Sequence, residues 1–189
     1  FLTACIILSL TACKPDEMKI YYEIASRIQT ADPQLAQSDS ELLVVKNLYE
    51  GLYRLDKNGR PVSGAATCAV SADGLTYSFE INKKAVWSNG EKLTADDFVF
   101  AFERALTPET LSPFAQKLFQ IENAEDFYRG NCPFSSVGIK SDGERGLTVT
   151  LSTANENFPY ILASSVCMPC NKEFFEKTKG RYGLSKATV

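Results

Sequence analysis

Three groupings in this 189-residue chain have the residue types and spacings that chemistry uses. Cys167-Met168-Pro169-Cys170 stands directly ahead of a helical stretch beginning at Lys172. A C-x-x-C pair at a helix N-terminus is the arrangement in which a thiol pKa falls far enough for redox exchange. No βαβ pattern of the thioredoxin kind surrounds it. A four-cysteine zinc site would need a second close pair, and Cys68 and Cys132 lie far apart in the sequence. Two readings stay open: a disulfide joining Cys132 to Cys167 or Cys170, or unpaired buried thiols. The second grouping is Asp96-Asp97, two carboxylates of the kind that share acid–base work. Adjacent helical residues point in different directions, and acidic side chains favour a helix N-terminus, so this pair reads as capping. The third is the only tryptophan, Trp87, set in a turn between a strand and a helix. That position predicts core packing, with the indole N–H donated to a backbone carbonyl. Histidine is absent, which removes Ser-His-Asp, Cys-His and His-metal constellations from this chain.

The elements that must position these residues are legible from periodicity. Leu75, Tyr77, Phe79 and Ile81 alternate with polar residues, as a strand with one buried face does. Ser88-Asn89-Gly90 reverses the chain. Thr94 with Asp97 predicts a capping box opening a helix that carries Phe98, Val99, Phe102 and Leu106. Ser38 with Glu41 predicts a second box, ahead of a helix that Gly51 would end in the left-handed conformation. Asn58-Gly59 predicts a type I′ hairpin. Ala115 to Phe127 reads as one helix, Val137 to Lys140 as a short strand, and Leu147, Val149 and Leu151 as another strand. Phe158 to Leu162 and Lys172 to Lys179 read as helices. Strands and helices mix without regular βαβ spacing, an α+β arrangement. The net charge of −3 offers no basic patch, so composition does not support a nucleic-acid partner.

The first twelve residues are apolar and too short to span a bilayer, and they end in Leu10-Thr11-Ala12-Cys13 before Lys14-Pro15-Asp16-Glu17. This resembles a bacterial lipobox with Cys13 as the lipid-bearing residue. The alternative is a buried N-terminal segment.

Trp87-Ser88-Asn89-Gly90 followed by Leu93-Thr94-Ala95-Asp96-Asp97-Phe98-Val99 resembles the signature of the family 5 extracellular solute-binding proteins, the peptide-binding subunits of bacterial ABC importers. Asn47-Leu48-Tyr49-Glu50-Gly51-Leu52-Tyr53 and Thr107-Pro108-Glu109-Thr110-Leu111-Ser112-Pro113-Phe114 extend the likeness. Ala31-Asp32-Pro33 stands where the family has a Leu-Asp-Pro-like turn, with alanine in place of the larger residue.

The resemblance implies a partial type II periplasmic-binding-protein-like clamshell, the N-terminal part of a longer protein whose second lobe is missing. On that reading residues 1–13 are signal peptide and lipobox, and 14–39 and 155–189 belong to a core lobe. Residues 40–154 form an inserted subdomain. It further implies a monomeric lipoprotein, anchored on the cell surface or the periplasmic side of the membrane, that captures oligopeptides for a permease. No catalysis and no cofactor is expected. Positions matching first-lobe ligand contacts are Ser26, Arg27, Ile28, Gln29 and Phe114. Arg27 would meet a ligand carboxylate bidentately, or else stand solvated at a strand edge, and Phe114 would be a ligand contact or subdomain core. Other family members bind nickel complexes, sugars or opines, so a non-peptide solute is the alternative within the family. A thiol-redox lipoprotein is the alternative outside it.

Overall fold

In the computed structural model, which describes residue 23 and residues 26–184, helix α1 (Asp39–Leu48) opens with the expected capping box. Ser38 Oγ accepts the Glu41 N–H at 3.3 Å and Glu41 Oε2 accepts the Ser38 N–H at 3.1 Å. The helix stops at Tyr49, whose backbone is extended, and not at Gly51. Gly51 suits its place for a different reason: a Cβ there would fit tightly, 3.1 Å from the Tyr53 carbonyl oxygen and 3.2 Å from Met168 Sδ.

Strands β1 (Tyr53–Leu55) and β2 (Pro61–Ser63) pair antiparallel across residues 56–60. The Asn-Gly pair does not make a type I′ turn, because only Gly59 of the two has positive φ. Asp56 Oδ1 instead organises a wider loop, accepting the N–H groups of Asn58 and Arg60 at 2.8 and 2.9 Å.

Four strands form the main sheet: β3 (Ala66–Val70), β4 (Thr76–Ile81), β5 (Ile139–Asp142) and β6 (Gly146–Thr150). Their order is β3-β4-β6-β5, antiparallel throughout. In register, Tyr77 sits opposite Val149 and Phe79 opposite Leu147, so the apolar residues of both strands share one face. Helix α2 (Ala95–Leu106) covers that face with Phe98, Phe102 and Leu106, all fully buried. Removing either phenylalanine by alanine substitution in such a core costs about 3–5 kcal/mol. The opposite side of α2 is buried as well: Ala101 joins a second cluster with Ala36, Val45, Tyr49, Met168, Cys170 and Tyr182. On this helix Asp96 stays exposed and Glu103 half-buried, but Arg104 is buried.

The expected helix over 115–127 is broken in two. A 3₁₀ turn (Ala115–Leu118) precedes an isolated bridge between Ile121 and Leu151, and α3 (Ala124–Tyr128) follows. The end of β6 captures this backbone, since Glu122 N–H donates to the Thr150 carbonyl at 2.9 Å. The remaining helices are α4 (Phe158–Leu162), as expected, and α5 (Lys172–Lys177). The latter ends before Lys179, where Lys179 and Gly180 both take positive φ and turn the chain. Strand β5 begins two residues after the expected start at Val137. Among the described residues no helix is long and apolar enough to cross a membrane. The lipobox and Cys13 lie outside the described residues.

Candidate functional site: a contact segment and its supports

Residues 26–29 carry little regular structure of their own, so their placement depends on what grips them. Ser26, Arg27 and Gln29 are exposed and Ile28 is half-buried. The first turn of α1 holds this segment at both ends. Ser40 Oγ accepts the Ser26 N–H at 3.3 Å and its hydroxyl at 3.0 Å. Glu41 Oε1 accepts the N–H groups of Gln29 and Thr30 at 3.1 and 3.4 Å. Glu41 is buried, and burial alone would push its pKa up. Hydrogen bonds from the main-chain N–H groups of Ser38, Gln37 and Gln29 outweigh that and bring it down to about 2.

A second support begins at Asp32, whose carboxylate is 1% exposed as a residue and faces Arg104, itself 7% exposed. Arg104 Nη2 donates to Asp32 Oδ2 at 2.6 Å and Nη1 to Oδ1 at 3.3 Å, the fork-on-fork geometry that orients a carboxylate as well as neutralising it. Nη1 also donates to Gln34 Oε1 at 2.7 Å. Gln34 in turn donates through Nε2 to the Met168 carbonyl at 2.9 Å. The Phe175 ring lies 4.1 Å from the guanidinium carbon, a cation–π contact. Burial works against the charge on Arg104, and Asp32 more than offsets it, so the pKa is raised. Both terminal nitrogens are engaged inside the protein, so Arg104 is a structural cation and not a receptor for a ligand carboxylate. The residues lining the groove beside it, about 580 Å³, include this pair with Phe100, Phe175 and Tyr182.

Two further ties complete the frame. Ser112 Oγ donates to the Gln34 carbonyl at 2.7 Å, and Ala31 N–H donates to the Gly183 carbonyl at 2.8 Å. At Gly183 φ is +72°, and a Cβ would stand 2.3 Å from the Asp32 nitrogen, so this approach needs glycine.

Ser26 to Gln29 therefore form one stretch on a fixed frame, exposed except for the half-buried Ile28. Arg27 makes no ion pair among the described residues. Phe114 belongs to a different element. It is half-buried against the sheet–helix core, with Lys117 Nζ 4.3 Å from its ring centroid.

The expected disulfide from Cys132 to Cys167 or Cys170 is not formed, and all four described cysteines are free thiols. Cys132 lies on the loop after α3, its sulfur 3.7 Å from the Asn123 carbonyl, whereas Cys167 and Cys170 are fully buried. Burial pushes the Cys167 thiol up to about 12 and the Cys170 thiol up to about 11. Redox exchange needs an accessible thiolate, and neither sulfur provides one. Asp97 caps α2, accepting the Thr94 N–H at 2.9 Å, but it also takes the Trp87 indole N–H at 3.1 Å, where a backbone carbonyl was expected.

The Asp32–Arg104–Gln34 network is absent from the sequence reading. The available signal was an arginine on a helix whose neighbours Ala101, Phe102 and Ala105 are apolar, together with an aspartate before proline.

The model for the bacterial extracellular solute-binding proteins, family 5, matches residues 30–185. A dipeptide-binding protein of Lactococcus lactis subsp. cremoris is 33% identical over 182 residues, covering 95% of this chain and 33% of the relative. A probable deoxycholate-binding periplasmic protein of Escherichia coli, YgiS, is 35% identical over 143 residues, covering 74% of this chain and 27% of its own length. Among solved structures, the substrate-binding domain of an oligopeptide ABC transporter from Bacillus anthracis superposes with a TM-score of 0.83 at 37% identity. That match covers 85% of this chain and 31% of the other. The chain thus spans about a third of the length of the relatives it matches, and its fold is part of a type II periplasmic-binding-protein fold.

Proposed function

The chain belongs to the bacterial extracellular solute-binding proteins, family 5, and we propose that the protein it forms part of captures peptides outside the cytoplasmic membrane and delivers them to an ABC permease. The observation that carries this reading is the stretch Ser26–Gln29, with Arg27 and Gln29 exposed and its main chain gripped by the first turn of α1, in a chain whose relatives include a dipeptide-binding protein. Exposed side chains at Arg27 and Gln29 on a main chain fixed by α1 suit a ligand that is itself mostly main chain. In this reading Arg27 meets a peptide carboxylate with two parallel hydrogen bonds, Ile28 adds apolar contact, and Phe114 flanks them. A second lobe closes over the solute, and the closed form docks on the permease. No covalent step is involved. Lipid attachment at Cys13 would keep the protein near its permease, and the protein works as a monomer.

The E. coli relative named for deoxycholate supports a second reading, a non-peptide solute held by the same frame. Mass spectrometry of the ligand released on denaturing natively purified full-length protein separates the two. A ladder of short peptides is expected, and Arg27→Ala should then lower peptide affinity about tenfold or more, as loss of a charge-assisted pair does. A steroid, metal complex or sugar released without peptides would overturn the substrate assignment.

A further inference from the structure

We infer that Glu41 is a positioning residue for the contact segment: its carboxylate fixes the main chain at Gln29 and Thr30, and through it the presentation of Arg27 and Ile28 to a solute. This rests on the reading of residues 26–29 as ligand contacts given above.

A capping box asks one thing of its third helical residue, acceptance of the N-cap N–H. Glu41 does this through Oε2, to Ser38 at 3.1 Å. Its carboxylate makes three more bonds that the box does not require. Oε2 also takes the Gln37 N–H at 3.1 Å, and Oε1 takes those of Gln29 and Thr30 at 3.1 and 3.4 Å. The side chain is thus a four-donor hub, with one oxygen on the helix start and the other on the contact segment twelve residues earlier. No lysine or arginine is among these partners. The negative charge is balanced by main-chain N–H groups, helped by the positive end of the helix dipole. Only an ionised carboxylate can accept from four N–H groups. A glutamine would turn an NH₂ toward donors, and an aspartate would keep the box while falling short of residues 29 and 30. Asp97, the corresponding residue of α2, shows that an aspartate suffices for the box itself.

With the N–H groups of Gln29 and Thr30 turned onto α1, Arg27 and Ile28 are held on a main chain with fixed direction. A loose segment would have to lose its conformational freedom when solute arrives, and that loss opposes binding. Glu41 removes that loss from the binding step, which is what preorganisation means physically.

The test uses the full-length protein, with Glu41→Asp and, as a control, Ser38→Ala. The control weakens the start of α1 without touching the bonds to Gln29 and Thr30. Two readouts are taken: hydrogen exchange in the peptide covering residues 26–34, and affinity for pentaalanine. Glu41→Asp is expected to speed exchange at residues 29–30 at least tenfold and to weaken pentaalanine binding about tenfold, while Ser38→Ala leaves both as in wild type. If Glu41→Asp changes neither, or if Ser38→Ala reproduces both changes, Glu41 is a capping residue alone and the inference is overturned. Wild-type protein that binds no oligoalanine at any concentration would sink the peptide reading. Exchange at residues 29–30 then still decides what Glu41 does.

Discussion

Helices α1 and α2 begin in the same motif, yet the two carboxylates that close their capping boxes sit in opposite electrostatic situations. Glu41 and Asp97 are both buried, at 4% and 7% exposure. Glu41 gathers four main-chain N–H groups and is held at about 2, whereas Asp97 gathers one N–H, a hydroxyl and an indole N–H, all on one oxygen. Burial prevails at Asp97, and its pKa is raised. The same box therefore serves two ends. At α2 it anchors Trp87 beside a helix that the core already holds. At α1 it is extended by one methylene to reach a segment that nothing regular holds.

The sharpest way to probe this contrast is a third carboxylate, Asp32, which has the counter-ion the other two lack. Arg104→Ala leaves Asp32 buried without its partner, and we expect a loss of about 3–5 kcal/mol in denaturant unfolding of the full-length protein. Should the loss stay below about 1 kcal/mol, hydrogen bonding and not ion pairing would dominate at all three sites.

Acid separates the two boxes by sign. Glu41 has a folded pKa below its ordinary 4.5, so its contribution is whole above that value and is lost as pH falls toward about 2. Asp97 has a folded pKa above its ordinary 3.8, so it favours the folded state more as pH falls through that window and less as pH rises through it. The stability advantage of wild type over Glu41→Gln should shrink on acidification from pH 5 to about 2, and that over Asp97→Asn should grow. Urea midpoints at several pH values measure both, and parallel trends would erase the distinction.

The smallest expected effect is at Trp87→Phe, which keeps the ring and removes the N–H to Asp97. A loss of about 1 kcal/mol is expected, with the Asp97 pKa rising further as a lowering contact disappears. Thermal unfolding and carboxylate titration would show it.

These contrasts also explain what could be read without coordinates. Both capping boxes were legible, because a box is a local pattern four residues long. Strands β4 and β6 were legible because alternation reports a one-sided environment, and Tyr77, Phe79, Leu147 and Val149 are indeed the buried set. The break in the helix expected over 115–127 was not legible, since its cause is a bridge from Ile121 to Leu151. Gly51 carried a correct identity with the wrong reason: what crowds a Cβ there is the Tyr53 carbonyl together with Met168, far away in sequence, and not its own φ. The same limit hid the site's supports. Glu41 showed its role toward Ser38 but not toward Gln29, and Asp32 gave no hint of a guanidinium 72 residues later. Cys167 and Cys170 had redox spacing, and spacing carries no information about burial.

The bond from Ala31 to the Gly183 carbonyl has a bearing on the order in which the molecule is built. It joins positions about 150 residues apart, and closing a flexible loop of that length costs roughly 4 kcal/mol in chain entropy before any contact is gained. Pairings of such long separation are the slow ones in folding. The tie at Ala31 therefore waits on a residue about 150 positions further along the chain. Until Gly183 has been synthesised and brought back to Asp32, the main chain at residues 30–32 lacks one of its ties, and the stretch before it rests on its bonds to Ser40 and Glu41.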